Sequence, residues 1–193
     1  MKRVLLIAAL MAAGTAYAAK PAQKTWVQEP NSFLGLSFNS SSILSLPECT
    51  PGLYGFQQER LCREKPFESV YYTIEGKPKI GLSYNYSVMA KVSGSQVETF
   101  LLTGNTNDFD KAVAIFTEKY GKPSSSSAPE VKTKAGASFT NDTLVWDGAR
   151  IRITLERFSS DINTFSAAIE NKVAVQSSVQ ADREKIKAGA SNL

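Results

Sequence analysis

The sequence predicts an α+β domain: an antiparallel sheet with one main helix packed on it, an N-terminal disulfide loop and a polar C-terminal helical tail. Three observations carry this expectation. Asp147-Gly148 lies between two alternating segments, and an Asp-Gly pair in that setting is the strongest short hairpin signal. One helical stretch, Phe109 to Tyr120, runs into Gly121 and Pro123. Cys49 and Cys62 stand in a proline- and glycine-rich stretch of a chain that begins like an exported protein.

The beginning comes first. Met1-Lys2-Arg3 is a basic start, Val4 to Ala13 is an apolar run of ten, and Ala16-Tyr17-Ala18 supplies the small residues signal peptidase requires. Residues 1–18 therefore read as a signal peptide. The run is too short for a membrane crossing, which needs roughly 20 apolar residues. No cysteine lies near the cleavage site and no later segment has the length of a transmembrane helix. A soluble protein, periplasmic or secreted, is expected. Two cysteines in that compartment read as a disulfide rather than a metal or redox pair. The closed loop of about 13 residues stabilises by roughly 3 kcal/mol on the chain-entropy model.

Residues 19–32 form a polar leader, and 33–171 are read as one domain. Phe33 to Phe38 suits a short strand, Ser40 to Leu46 one helical turn, and 47–66 a loop pinned by the disulfide. Phe67 to Ile74 is rich in aromatic and β-branched residues, which favour strands. Ile80 to Val92 and Gln96 to Thr103 flank Ser93-Gly94-Ser95 and predict a hairpin. Within it Tyr84, Tyr86 and Val88 alternate with Asn85, Ser87 and Met89, the period of a half-buried strand.

Asn107 then reads as an N-cap, with Asp108 and Asp110 complementing the helix dipole. Phe109, Ala112, Val113, Phe116 and Tyr120 share one face, a stripe that belongs to the core rather than to a ligand box. Gly121 and Pro123 stop the helix. Ser124 to Ser127 reads as a connector. Leu144 to Trp146, Ile151 to Leu155 and Phe165 to Ile169 give three strands. In the polar tail 172–193, Val175, Val179 and Ile186 are too thinly spread to anchor it, and the segment predicts a solvated helix after about Ser178, ending near Gly189. Gly35 to Asn39 and Gly81 to Asn85 are similar five-residue runs, too short to argue for a repeat.

The 193 residues contain no histidine, which excludes Ser-His-Asp and Cys-His catalysis, histidine zinc sites and imidazole pH switches. Neither a Walker loop nor Gly-x-Gly-x-x-Gly is present, so no cofactor is expected. Cleavage removes Lys2 and Arg3 and leaves 20 basic against 18 acidic residues. A mature charge of about +2 is no footprint for nucleic acid. Glu98, Asp142, Asp147 and Glu156 are the carboxylates from which a hydrolase pair would be drawn, and Lys91 the lysine for a Ser-Lys dyad. Asn105 to Asp110 is oxygen-rich but lacks the glycine and terminal glutamate of an EF-hand; a helix start explains it. No catalytic residue and no metal ligand is assigned. Tyr71, Tyr72, Tyr84 and Tyr86 are candidate binding anchors, although half of them suit the core equally. Arg150, Arg152 and Arg157 are a candidate basic stripe, or a solvated strand face balanced by Glu156.

The run from Phe109 through Tyr120-Gly121-Lys122-Pro123, with Trp146-Asp147-Gly148 and Ile151 to Leu155, resembles small exported bacterial proteins. In those, a helix ending Tyr-Gly-x-Pro precedes a Trp-bearing antiparallel hairpin. The helix-on-sheet plan is similar to the β-lactamase inhibitor protein and outer-membrane assembly lipoprotein folds, a likeness of architecture that transfers no functional residue. The expectation is a non-catalytic exported binding module of the envelope, with another envelope protein as partner. The alternatives are a carboxylate hydrolase acting on an envelope substrate, or an inhibitor of a foreign hydrolase with 50–61 as its protruding loop.

Overall fold

The structure, a computed structural model, describes residues 26–50, 60–64, 70–132 and 136–192. The signal-peptide segment and residues 51–59 of the 50–61 loop lie outside them.

Twelve strands and three helices are described, in the order β1 (Ser32–Phe33), β2 (Leu36–Ser37), α1 (Ser41–Leu44), β3 (Cys62–Glu64), β4 (Tyr71–Glu75), β5 (Ser87–Ser93), β6 (Gln96–Asn105), α2 (Phe109–Tyr120), β7 (Ser125–Ser127), β8 (Glu130–Lys132), β9 (Ser138–Thr140), β10 (Thr143–Asp147), β11 (Ile151–Glu156), β12 (Thr164–Asn171) and α3 (Lys172–Ala190). Eight of the strands form one antiparallel sheet, β3-β4-β5-β6-β12-β11-β10-β7. The α+β class and the disulfide both stand, with Cys49 and Cys62 bonded.

Strand alternation builds the core. Val88 and Ala90 face Leu102 and Phe100, which face Ala167 and Ile169, which in turn face Leu155 and Ile153. All of them are buried. Helix α2 lays Phe109, Ala112, Phe116 and Tyr120 onto this surface. The rings of Phe109 and Phe165, and of Phe116 and Trp146, meet with centroids 6.3 and 6.1 Å apart. The N-terminal segment covers the rest: Phe33 and Phe38 flank Phe100 at 5.6 and 5.5 Å, and Ile43 of α1 is fully buried. Each buried aromatic or branched side chain contributes about 1.5–3 kcal/mol.

Within the leader, Trp26–Asn31 is docked on the domain. Trp26 Nε1 donates to the Tyr120 carbonyl at 2.7 Å. Glu29 Oε1 accepts from the Arg150 and Ile151 amides at 2.6 and 2.7 Å.

Several elements differ from expectation. The strand expected over Ile80–Val92 begins only at Ser87. Gly81 has a φ of +90°, and Ile80 and Leu82 turn onto the core outside any strand ladder. The serines 125–127 form an edge strand on β10, with Ser124 N donating to the Val145 carbonyl at 2.8 Å. Asn107 is not the cap of α2: Asn105 caps a 3-10 turn over Thr106–Asp108 that leads into the helix. Gly121 does stop it, at φ +79°. The longest helix is α3, not α2. It starts at Lys172, earlier than expected, because the Asn171 side chain accepts from Ala174 N. From Val179 onward it is exposed.

Candidate interaction surfaces

The core elements cover one face of the large sheet. The other presents three transverse rows, each fixed by strand register. The middle row is Thr73, Met89, Leu101, Ala168, Thr154 and Val145, one residue from each of β4, β5, β6, β12, β11 and β10. Each of these is partly exposed, so the row is apolar to mixed and reached by solvent, while α3 runs near its Lys91 side, where Asp182 acts on Lys91. On one side of it run Tyr71, Lys91, Thr99, Glu170, Arg152 and Asp147, whose charges alternate in sign. On the other side run Ser87, Thr103, Ser166, Glu156 and Thr143.

The four candidate tyrosines do not form one cluster. Tyr71 lies on the open face, whereas Tyr72, its neighbour in β4, points to the covered face and carries the Arg63 guanidinium 5.7 Å over its ring. Tyr86 is buried, its hydroxyl donating to the Pro78 carbonyl, and burial raises its pKa above the ordinary value. Tyr84 is 53 % exposed. It belongs to the segment 76–86, which joins β4 to β5.

The arginines are engaged inside the chain. Arg150 Nη2 donates to Asn31 Oδ1 at 2.6 Å. Arg152 Nε lies 3.2 Å from Asp147 Oδ1, which also takes Lys172 Nζ at 2.8 Å. Lys172 first and then Arg152 hold the Asp147 carboxyl below the usual range. Arg157 bridges Asp142 and Asp110 at 2.8 and 2.9 Å and lies over the Phe109 ring. The counter-charges of the stripe are therefore Asp147, Asp142 and Asp110, not Glu156.

The remaining carboxylates follow the same pattern. Glu98 is the extra residue at a bulge between β5 and β6. It is buried, with Oε1 2.6 Å from Lys91 Nζ and Oε2 unpartnered. That pairing raises the Lys91 pKa. In the 105–110 run, Asn105 Oδ1 accepts from Asn107 N and Asp108 Oδ2 accepts from Tyr84 N at 2.8 Å. Burial alone would raise the Asp108 carboxyl, but the Tyr84 and Ser83 amides and Lys111 outweigh it and hold it low. Among the described residues, no group of three or more Cys, Asp or Glu side chains is arranged to hold a metal ion. The open rows and the 76–86 segment were not singled out as sites in the sequence. The period of two could have given the rows, since Leu101, Thr103, Thr154 and Ala168 alternate with the core residues.

Comparison with protein-family models, with curated proteins and with solved structures returns no match.

Proposed function

We propose that this chain is a non-catalytic exported interaction module of the bacterial envelope, engaging another envelope protein through the open face of its sheet. The observation that carries this reading is the partly exposed middle row from Thr73 to Val145, flanked by one row of alternating charge and one of hydroxyls interrupted by Glu156. Six strands and three rows span about 600 Å² in projection at ordinary strand spacings, close to the ~800 Å² that each partner gives to a standard interface. Side chains held by a hydrogen-bonded sheet lose little freedom on binding, which favours association. The alternation of Lys91, Glu170, Arg152 and Asp147 gives the face no net sign. That suits a protein surface of mixed charge better than a polyanion.

The test places a photo-cross-linking residue at Leu101 or Val145 of the full chain in the cell that makes it. A discrete protein adduct from these positions, and none from Ile186 far along α3, which is 70 % exposed, is the expected result. No adduct from either open-face position overturns the reading.

A further inference from the structure

The segment 76–86 has no regular structure, and connecting segments on a rigid scaffold are where binding residues concentrate. This one is fixed at several points. At its root Gly76 has a φ of +69°, and a Cβ there would lie 1.9 Å from the Arg60 carbonyl oxygen. Lys77 Nζ pairs with Glu75 at 2.7 Å, and Tyr86 closes the base through its bond to the Pro78 carbonyl. Ile80 and Leu82 pack on the core. The tip is held from outside by the start of α2: Asp108, 1 % exposed, accepts from Tyr84 N at 2.8 Å, and Lys111 reaches both Asp108 and Ser83.

These anchors take up the inward-facing groups and leave a particular set outside. Tyr84 is 53 % exposed and Lys79 is exposed with no ion-pair partner among the described residues, whereas Lys111 is already engaged by Asp108 and Ser83. Residues 76–87 contain two lysines and no acidic residue. Alongside the segment lies a hollow of about 870 Å³ lined by residues from Glu75 to Ser87, within the size range of ligand clefts. An exposed aromatic near an exposed cation, on backbone already held in place, has the composition and the preorganisation of an interface anchor.

We infer that 76–86 is a recognition loop that presents Tyr84 and Lys79 to a carboxylate-bearing surface of a protein partner. The inference rests on the interaction-module reading and adds to it the element that selects the partner and the charge of the surface selected. Opposite charge on the partner speeds encounter and rejects basic competitors, and the aromatic ring supplies the buried contact.

The experiment uses the full chain in the cell that makes it, with the photo-cross-linking residue at position 84, at 79, or at Leu101 on the open face. The expected result is an adduct from 84 whose partner peptide maps to a segment rich in Asp and Glu. With that partner purified, Tyr84→Ala and Lys79→Glu should each weaken binding about tenfold or more. Both positions are exposed, so melting curves should match the parent. Adducts from Leu101 with none from 84 overturn the loop and leave the interaction module standing. No adduct from any position overturns both. An adduct from 84 that maps to a segment without carboxylates, or binding unchanged by Lys79→Glu, overturns the assignment of an acidic partner surface.

Discussion

Glu29 offers a stringent test of where this domain begins. One carboxylate oxygen accepts two consecutive amides of the β10–β11 turn, Arg150 N at 2.6 Å and Ile151 N at 2.7 Å. Gly148 leaves the room for it: a Cβ there would lie 2.4 Å from Glu29 Oε1. Hydrogen bonds to a charged group contribute about 1.5–3 kcal/mol each, less where water can replace the partner. The Arg150 amide is solvent-accessible and recovers most of its bond; the Ile151 amide is partly buried and recovers less. Glu29→Ala should therefore cost about 2 kcal/mol. Glu29→Gln keeps an acceptor but loses the charge, which is worth about half the bond strength, so about 1 kcal/mol should be lost. With a urea slope of about 2 kcal/mol per molar, the midpoints should fall by about 1 M and about 0.5 M at unchanged slope. If Glu29→Ala unfolds within about 0.2 M of the parent, the Glu29 bonds contribute nothing to the fold and the segment is held by its other contacts, Trp26 and Asn31 among them.

Two further outcomes follow from the same structure. Lys91 is raised above its ordinary value by Glu98, and burial pushes Tyr120 up to about 12. Both groups keep their protons in the folded chain at a pH where the unfolded chain has lost them, so their stabilisation is complete below about pH 10 and is lost as pH rises toward 12. Urea midpoints measured up this range should fall, and Glu98→Gln should remove the Lys91 part of the decline; a flat alkaline limb contradicts the assignment. Truncation after Ser178 should shift the melting temperature by less than about 2 °C, because the removed residues are exposed. Ala174→Asp, which buries a charge at a site 4 % exposed, should lower it by about 6–12 °C. Equal effects of the two changes would mean that the outer part of α3 docks.

What was legible in the sequence was whatever repeats locally. The stripe from Phe109 to Tyr120 and the alternation of Ile151, Ile153 and Leu155 each recur within one element, and the structure places both as read. The hairpin expected around Asp147-Gly148 is present, but Asp147 ends β10 opposite Arg152 and Gly148 N donates to the Ile151 carbonyl, so the turn falls after the pair rather than on it. What escaped depends on partners far along the chain. Nothing near Glu29 signals a turn more than a hundred residues away. Ser125–Ser127 becomes a strand only because β10 offers an unpaired edge. Tyr84 and Tyr86 look like successive positions of one strand, yet Asp108, on the segment entering α2, draws the Tyr84 backbone out of it.

The charged residues divide by the same criterion. In the sequence, Arg150, Arg152 and Arg157 made the obvious basic feature, and Lys79 drew no notice. In three dimensions each of those arginines has an acceptor within the chain, on Asn31, Asp147, or Asp142 and Asp110. A partner that used them would have to break bonds already made, and exchange of one acceptor for another yields little net free energy. The Lys79 and Tyr84 side chains stand on backbone that the fold has already fixed and have no ion pair among the described residues to surrender. On binding they exchange water rather than an internal partner, so less of the new interaction is offset. For this reason the recognition surface is better sought in the quiet 76–86 segment than in the arginine stripe.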